Sequence, residues 1–377
     1  MDDIFKIIVE EGKLSDEFRL LSKSKLFAPA KALVENIATS FEDKDGNFIE
    51  QFQTEGFNAR LWELYLFNLF TEHGFDILDD HNRPDFHLQK DGNELFVEAK
   101  KNSTVMFFSY DNVENKCDTN CTFHNKLIQT LPSLFLNQII ELNMRIELLS
   151  KRTIREKLLD YYVMRMGSIL YSKLKKKYWE LDWVKDKPLI FAITPSHNYI
   201  SKFLPDAKII EYLYGFRLVT QVMNGGLKLV RKEVISEHTF RDKKIPANFF
   251  SQENTENISA VIFTNNADLN KFNRIGYQQG LSEEELIIIR SGFKYNPAPD
   301  SPALKFTCNI EKGKETEEWG ESLTVFHNSN AKFPLDRSVF ENVRQVWLED
   351  NNTYGGIQKE DFVYNSITCT AAPLVEE

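Results

Sequence analysis

The chain has no run approaching 18 apolar residues, so no segment is long enough to cross a bilayer as a helix, and no membrane partner is expected. It does not open on the basic-then-apolar order of a secretory leader. Asp2 and Asp3 come first, and Glu10, Glu11 and Lys13 interrupt the apolar residues that follow. Cysteine is sparse: Cys117, Cys121, Cys308 and Cys369 lie scattered over 377 residues. That excludes a disulfide-stapled scaffold and makes the cytoplasm the expected location. Glycine (16) and proline (12) are too few for a collagen-like or linker-rich chain, and no internal repeat or biased tract occurs. Excess positive charge is also missing. A net charge of −10 argues against non-specific nucleic-acid binding by the whole surface.

What is present is core-forming material, with 42% apolar residues and 30 phenylalanines. The length allows two or three domains, or one elaborated one. Charge is distributed unevenly. Residues 151–187 hold eleven Lys or Arg against five Asp or Glu, a local +6, which leaves −16 on the rest of the chain. A concentrated basic segment on an acidic protein is a footprint for a nucleic-acid backbone, or else a solvated helix face. Within it, Lys173, Lys176 and Lys177 are the candidate phosphate contacts, and helical spacing sets Lys173 and Lys177 on one face.

Along the chain, residues 1–50 read as amphipathic helices. Residues 53–73 read as a strong helix stopped by Gly74, and 75–78 as a short strand. Residues 85–89 and 94–101 read as two strands joined through Lys90-Asp91-Gly92-Asn93, where Asp-Gly marks a hairpin. Residues 102–130 are polar and irregular. Helices are expected over 131–150, 152–181 and 211–223. A buried strand is expected over 188–194, and further strands at 227–231, 259–264, 286–290, 304–309 and 322–327.

Four residues carry the chemistry. Glu63 lies in Leu61-Trp62-Glu63-Leu64-Tyr65-Leu66-Phe67, a helix apolar almost all round and therefore buried. A buried carboxylate needs a partner: an ion pair with Arg60 or a distant base, a proton, or a metal. In the hairpin, opposed positions sum to 183, which sets Asp85 across from Glu98. Lys100 follows two residues later on the same face, while Leu95, Val97 and Ala99 point to the other. Two opposed acids destabilise a sheet unless a cation lies between them, and Mg²⁺ uses one or two carboxylates plus water and phosphate oxygens. An ammonium beside such an ion orients water or stabilises charge on a phosphoryl transition state.

The order of a helix Glu, then Pro84-Asp85, then Glu98-Ala99-Lys100 at the end of an apolar strand resembles the PD-(D/E)XK nuclease superfamily. The resemblance implies a mixed α/β fold with a restriction-endonuclease-like core over residues 51–195, carrying an insertion at about 102–150. Residues 1–50 are then an N-terminal helical segment, and 196–377 a C-terminal α+β extension of the core. It also implies a Mg²⁺-dependent endonuclease acting on DNA, with Mn²⁺ as a substitute. Asp85 and Glu98 would be the metal ligands, Glu63 the supporting acid and Lys100 the catalytic lysine. RNA as substrate and a homodimeric assembly stay open, and defence against foreign DNA is an analogy of fold alone. The alternative is a catalytically silent nucleic-acid-binding or interaction module on the same fold. Looser similarity to bacterial proteins with this core extends to the segments Lys271-Phe272-Asn273-Arg274 and Val325-Phe326-His327-Asn328. Cys117, Cys121 and His124 have roughly zinc-like spacing without a fourth ligand, and His327 reads as a hydrogen-bonded turn residue.

Overall fold

A computed structural model describes residues 3–43, 46–101, 152–195, 203–222, 228–299, 301–349 and 353–373. Four helices come first: α1 (Asp16–Lys23), α2 (Ala28–Ser40), α3 (Phe48–Gln53) and α4 (Phe57–Glu72). The strands β1 (Asp76–Leu78), β2 (Phe86–Lys90) and β3 (Asn93–Lys101) follow. Then come helix α5 (Arg152–Leu174), strand β4 (Leu189–Thr194) and helix α6 (Asp206–Tyr214). The remaining strands are β5 (Phe216–Val222), β6 (Lys228–Val234), β7 (Glu237–Phe240), β8 (Lys243–Pro246) and β9 (Ala260–Phe263), followed, after helix α7 (Leu269–Gln278), by β10 (Ile287–Lys294), β11 (Leu304–Ile310), β12 (Thr324–His327), β13 (Arg344–Leu348), β14 (Tyr354–Ile357) and β15 (Val363–Ala371).

The architecture is mixed α/β. Eight strands form one sheet in the order β1-β2-β3-β4-β9-β12-β13-β14, with β3, β4 and β9 parallel and its outer pairs mostly antiparallel. Strands from both halves of the chain therefore share one sheet. A smaller sheet, β11-β10-β15, is antiparallel throughout.

Side-chain alternation explains the layering. Leu95, Val97 and Ala99 of β3, Ile190 and Ala192 of β4, and Ala260 and Ile262 of β9 pack with the N-terminal helices and α7. Phe96, Leu189, Phe191, Ile193, Val261 and Phe263 point the other way and pack with α5 and α6. Strands covered on both faces read as continuous apolar runs, which is why 188–194 is legible as a buried strand.

The hairpin register is the one the Asp-Gly turn dictates. Phe86 pairs with Val97, His87 with Phe96, and so on to Lys90 with Asn93. Asp91 and Gly92 both take positive φ, 50° and 79°, as a two-residue turn matched to strand twist requires. A side chain in the left-handed region costs about 1–2 kcal/mol. Gly92→Ala is therefore expected to destabilise the protein by about 1 kcal/mol in a urea titration.

Three expected helices differ. The 53–73 segment begins its helix only at Phe57, because Thr54 is extended and a Cβ at Gly56 would lie 2.8 Å from Gln51. The 152–181 helix ends at Leu174. Lys177 is left-handed (φ 52°), and the chain turns there so that Tyr178 enters the core. The 211–223 helix stops at Tyr214, where Gly215 (φ 75°) caps it, and the alternating residues beyond form β5. The expected helix over 131–150 and the irregular stretch 102–130, with Cys117, Cys121 and His124, lie outside the described residues.

The C-terminal segments around residues 271–274 and 325–328 have structural work. Lys271 and Arg274, each 1% exposed, pair with Glu317, and Arg290 bridges Glu317 and Glu321. Asn328 donates to the carbonyls of Thr255 and Ile258. His327 is buried, bonded to Gln345 at 2.7 Å, and held down to a pKa of about 4 by its burial. Among the described residues, no helix is long and apolar enough to cross a membrane.

Candidate acidic site

Asp85 stands one residue before the first paired position of β2, so the register continued by one step brings it opposite Glu98. Its carboxylate accepts a hydrogen bond of 2.6 Å from the Ala99 backbone N–H, which takes the place of a ladder bond. Glu98 is 4% exposed and lies on the α5 face of the sheet. Two groups meet it there. Lys173, from the last turn of α5, pairs with its Oε1, and the Tyr178 hydroxyl donates to the same oxygen at 2.8 Å. Burial, and then the Glu98 charge, push the Tyr178 hydroxyl far above the usual tyrosine value, so it stays a donor at every relevant pH.

Glu63 approaches from the other side of the sheet. Its helix is apolar because α4 is packed by Leu61, Trp62, Leu64, Tyr65 and Leu66. The carboxylate emerges beside Asp85 in one cleft, which also takes in Arg60, Asp79 and Asn82 and encloses about 760 Å³ with its open mouth. Arg60 bonds Glu63 at 2.6 Å and is itself anchored on Gln51 and Asn47. The pair with Arg60 is thus present, yet it does not neutralise the group. Burial keeps Glu63 above the usual carboxylate range, with the Glu98 charge adding to it and Arg60 opposing.

The three acids repel one another. Asp85 is held well above the usual range, first by burial and then by the negative charges of Glu98 and Glu63; the Lys173 ammonium and the Ala99 N–H only partly offset them. A carboxyl raised in this way costs the fold its stability when it ionises. Its favourable contribution is complete below the unfolded carboxylate value of about 4 and is lost as pH rises through the folded value. The melting temperature of Asp85→Asn minus that of the parent, without metal, is therefore expected to grow from about pH 5 to about pH 8. Mg²⁺ is expected to shrink that difference by stabilising the parent, most strongly at the upper pH. A calorimetric scan at both pH values checks it.

The expected residues divide as follows. Asp85, Glu98 and Glu63 share one electrostatic cluster. Lys100 is exposed on the strand beyond Glu98 and has no hydrogen-bond or ion-pair partner among the described residues. Lys173, expected to meet a nucleic-acid backbone, is instead turned inward with its side chain 16% exposed and committed to Glu98. The helix ends before Lys177, so these two do not share a helical face. Lys176 and Lys177 are exposed, and Lys177 forms a surface pair with Glu180 at 3.0 Å. Tyr178 was not legible as a site residue, because only the crossing of the chain after α5 over β3 brings it to Glu98.

Among the described residues, Glu63, Asp85 and Glu98 do not form a set with one ligand atom each within 4.8 Å of the others, so sharing one ion would take side-chain movement or bridging water. Oxygen donors of like charge, one of them half-buried and open to a cleft, suit a hard divalent ion better than any single side-chain cation. Family models, curated proteins and solved structures offer no match to the chain.

Proposed function

We propose that the protein is a Mg²⁺-dependent nuclease with a restriction-endonuclease-like core, cleaving DNA phosphodiester bonds. One observation carries the reading: Asp85 stands one step beyond the β2–β3 register from Glu98, and the negative charges of Glu98 and of Glu63 on the neighbouring helix act on its carboxyl. The donor set fits the ion. It is all oxygen, it is partly desolvated, and its excess negative charge is what a divalent cation would relieve. Asp85 and Glu98 would hold the ion, with Glu63 supporting it. Bound there, Mg²⁺ supplies Lewis acidity to a phosphate oxygen and lowers the pKa of a coordinated water.

The chain's own groups do the rest. Tyr178 and Lys173 fix the Glu98 carboxylate in one orientation. The Arg60 guanidinium sets Glu63. Lys100, exposed at the end of β3, is free to approach a water or a phosphate oxygen. Lys176 and Lys177 stand at the exposed end of α5, where they would meet the backbone of a bound strand.

A silent binding module is the second reading. What favours it is that Glu63 and Glu98 each already have a basic partner. Incubation with matched DNA and RNA oligonucleotides in Mg²⁺ and in Mn²⁺ separates the two. Metal-dependent cleavage of DNA that EDTA stops supports the nuclease. Salt-dependent binding without cleavage in either metal supports the module. Cleavage of RNA alone would change the substrate class while keeping the site.

A further inference from the structure

We propose a second metal site, of a different kind, formed by Asp80, His81 and His87 and selective for Zn²⁺ or a similar borderline transition ion. It is independent of the nuclease reading. One ligand atom from each residue lies within 4.8 Å of the others. His87 Nδ1 is 2.7 Å from Asp80 Oδ1, and His81 Nε2 is 3.7 Å from Asp80 Oδ2. Ligands at the usual zinc distances of about 2.0–2.1 Å in a tetrahedron stand about 3.3 Å apart, so an ion would part His87 and Asp80 by a few tenths of an ångström and draw His81 inward.

The surroundings are those of a supported ligand. A metal-binding histidine uses one ring nitrogen for the ion and gives its other N–H to a carboxylate. His87 has that partner: Nε2 is 2.8 Å from Glu94, and Glu94 is fixed by Lys187 at 2.5 Å. His87 is 6% exposed and stacks on Phe96, with ring centres 4.3 Å apart, so its ring has one orientation. His81 is stacked on Trp183 at 4.5 Å, and the Trp183 indole N–H donates to the Arg83 carbonyl. Two imidazoles, each held from behind, and the exposed Asp80 carboxylate form a mixed nitrogen and oxygen set that leaves a fourth position for solvent. Without metal, His87 Nδ1 and Asp80 Oδ1 face each other in a hydrogen bond. Zn²⁺ would take the place of that hydrogen bond, its proton passing to solvent.

The consequence is mechanical. Asp80 and His81 lie in the connection from β1 to β2, and His87 lies in β2 two residues after Asp85. An ion here ties the connection that carries Pro84 and Asp85 to the strand beside it. Mg²⁺ prefers oxygen donors, so in excess it blocks oxygen-only sites without displacing zinc from a site that offers two imidazoles.

The test is titration of the full chain, stripped of metal, with Zn²⁺ in excess Mg²⁺ by calorimetry, and with Co²⁺ by visible absorption. One equivalent with nitrogen-ligand absorption bands is expected. His81→Ala and Asp80→Asn, both at half-exposed or exposed positions, are expected to weaken binding by more than about a hundredfold, and Glu94→Gln by about 10–100-fold. Circular dichroism confirms that each variant folds. Asp85→Asn is expected to leave zinc binding unchanged, as is the double variant Cys117→Ser with Cys121→Ser. The proposal is overturned if no equivalent of Zn²⁺ binds, if binding is indifferent to His81→Ala and Asp80→Asn, or if it is lost with the cysteines.

Discussion

On the proposed nuclease reading, Asp85→Asn is expected to lower Mg²⁺-dependent cleavage by more than about a hundredfold and at the same time to raise the melting temperature of the metal-free protein by a few degrees. The two effects have one cause. The Asp85 carboxylate is desolvated beside Glu98 and Glu63, so its charge is unfavourable until a cation arrives. The asparagine amide is neutral, and its oxygen still accepts the Ala99 N–H that Asp85 accepts now. Relief of such a site returns about 0.5–2 kcal/mol, and the loss of function is the usual counterpart. Paired scanning calorimetry and cleavage time courses measure both. A variant that is less stable than the parent would mean that the Asp85 charge supports the fold, and the cluster would then be structural.

The second large effect concerns the two lysines, which the structure separates. Lys173→Met leaves Glu98 buried with no cation, and removing one partner of a buried pair costs about 3–5 kcal/mol. Lys100→Met removes an exposed ammonium with no partner among the described residues and is expected to change stability by less than about 0.5 kcal/mol. On activity the order reverses in kind. On the proposed reading, Lys100→Met is expected to lose about 10²–10⁴ in cleavage rate with its fold intact. On the same reading, Lys173→Met is expected to lose activity together with stability, and Mg²⁺ to recover part of the latter by replacing the missing charge at Glu98. Urea titrations with and without Mg²⁺, read beside initial cleavage rates, distinguish the two. Equal stability losses for both would show that Lys173 is an ordinary surface lysine and that Glu98 tolerates its own charge.

The sequence made legible what local chemistry decides. Asp91-Gly92 sets the turn, the turn sets the register, and the register brings Asp85 to Glu98 and sends Leu95, Val97 and Ala99 to the opposite core. The apolar run of β4 announces a strand covered on both faces. What escaped depends on how distant segments cross. Lys173 and Tyr178 reach Glu98 over 75 and 80 positions, and no spacing rule spans such a gap. The triad of Asp80, His81 and His87 escaped for a related reason: the connection after β1 folds back on β2, so residues six and seven apart meet without helical or strand periodicity. The helix expected over 211–223 failed at one residue, because Gly215 offers the left-handed cap that turns Phe216 into a strand. Strands β13 and β15 form because β12 and β10 offer edges to pair with, and the glycine-containing β14 pairs in turn with β13.

The most direct measurement is the position of Mn²⁺ in crystals of the protein, located by anomalous diffraction. The account predicts a peak with oxygens of Asp85 and Glu98 at about 2.0–2.2 Å and Glu63 close by, and its loss in crystals of Asp85→Asn. A peak that avoids both carboxylates, or none while Lys173 keeps its pair with Glu98, would contradict it.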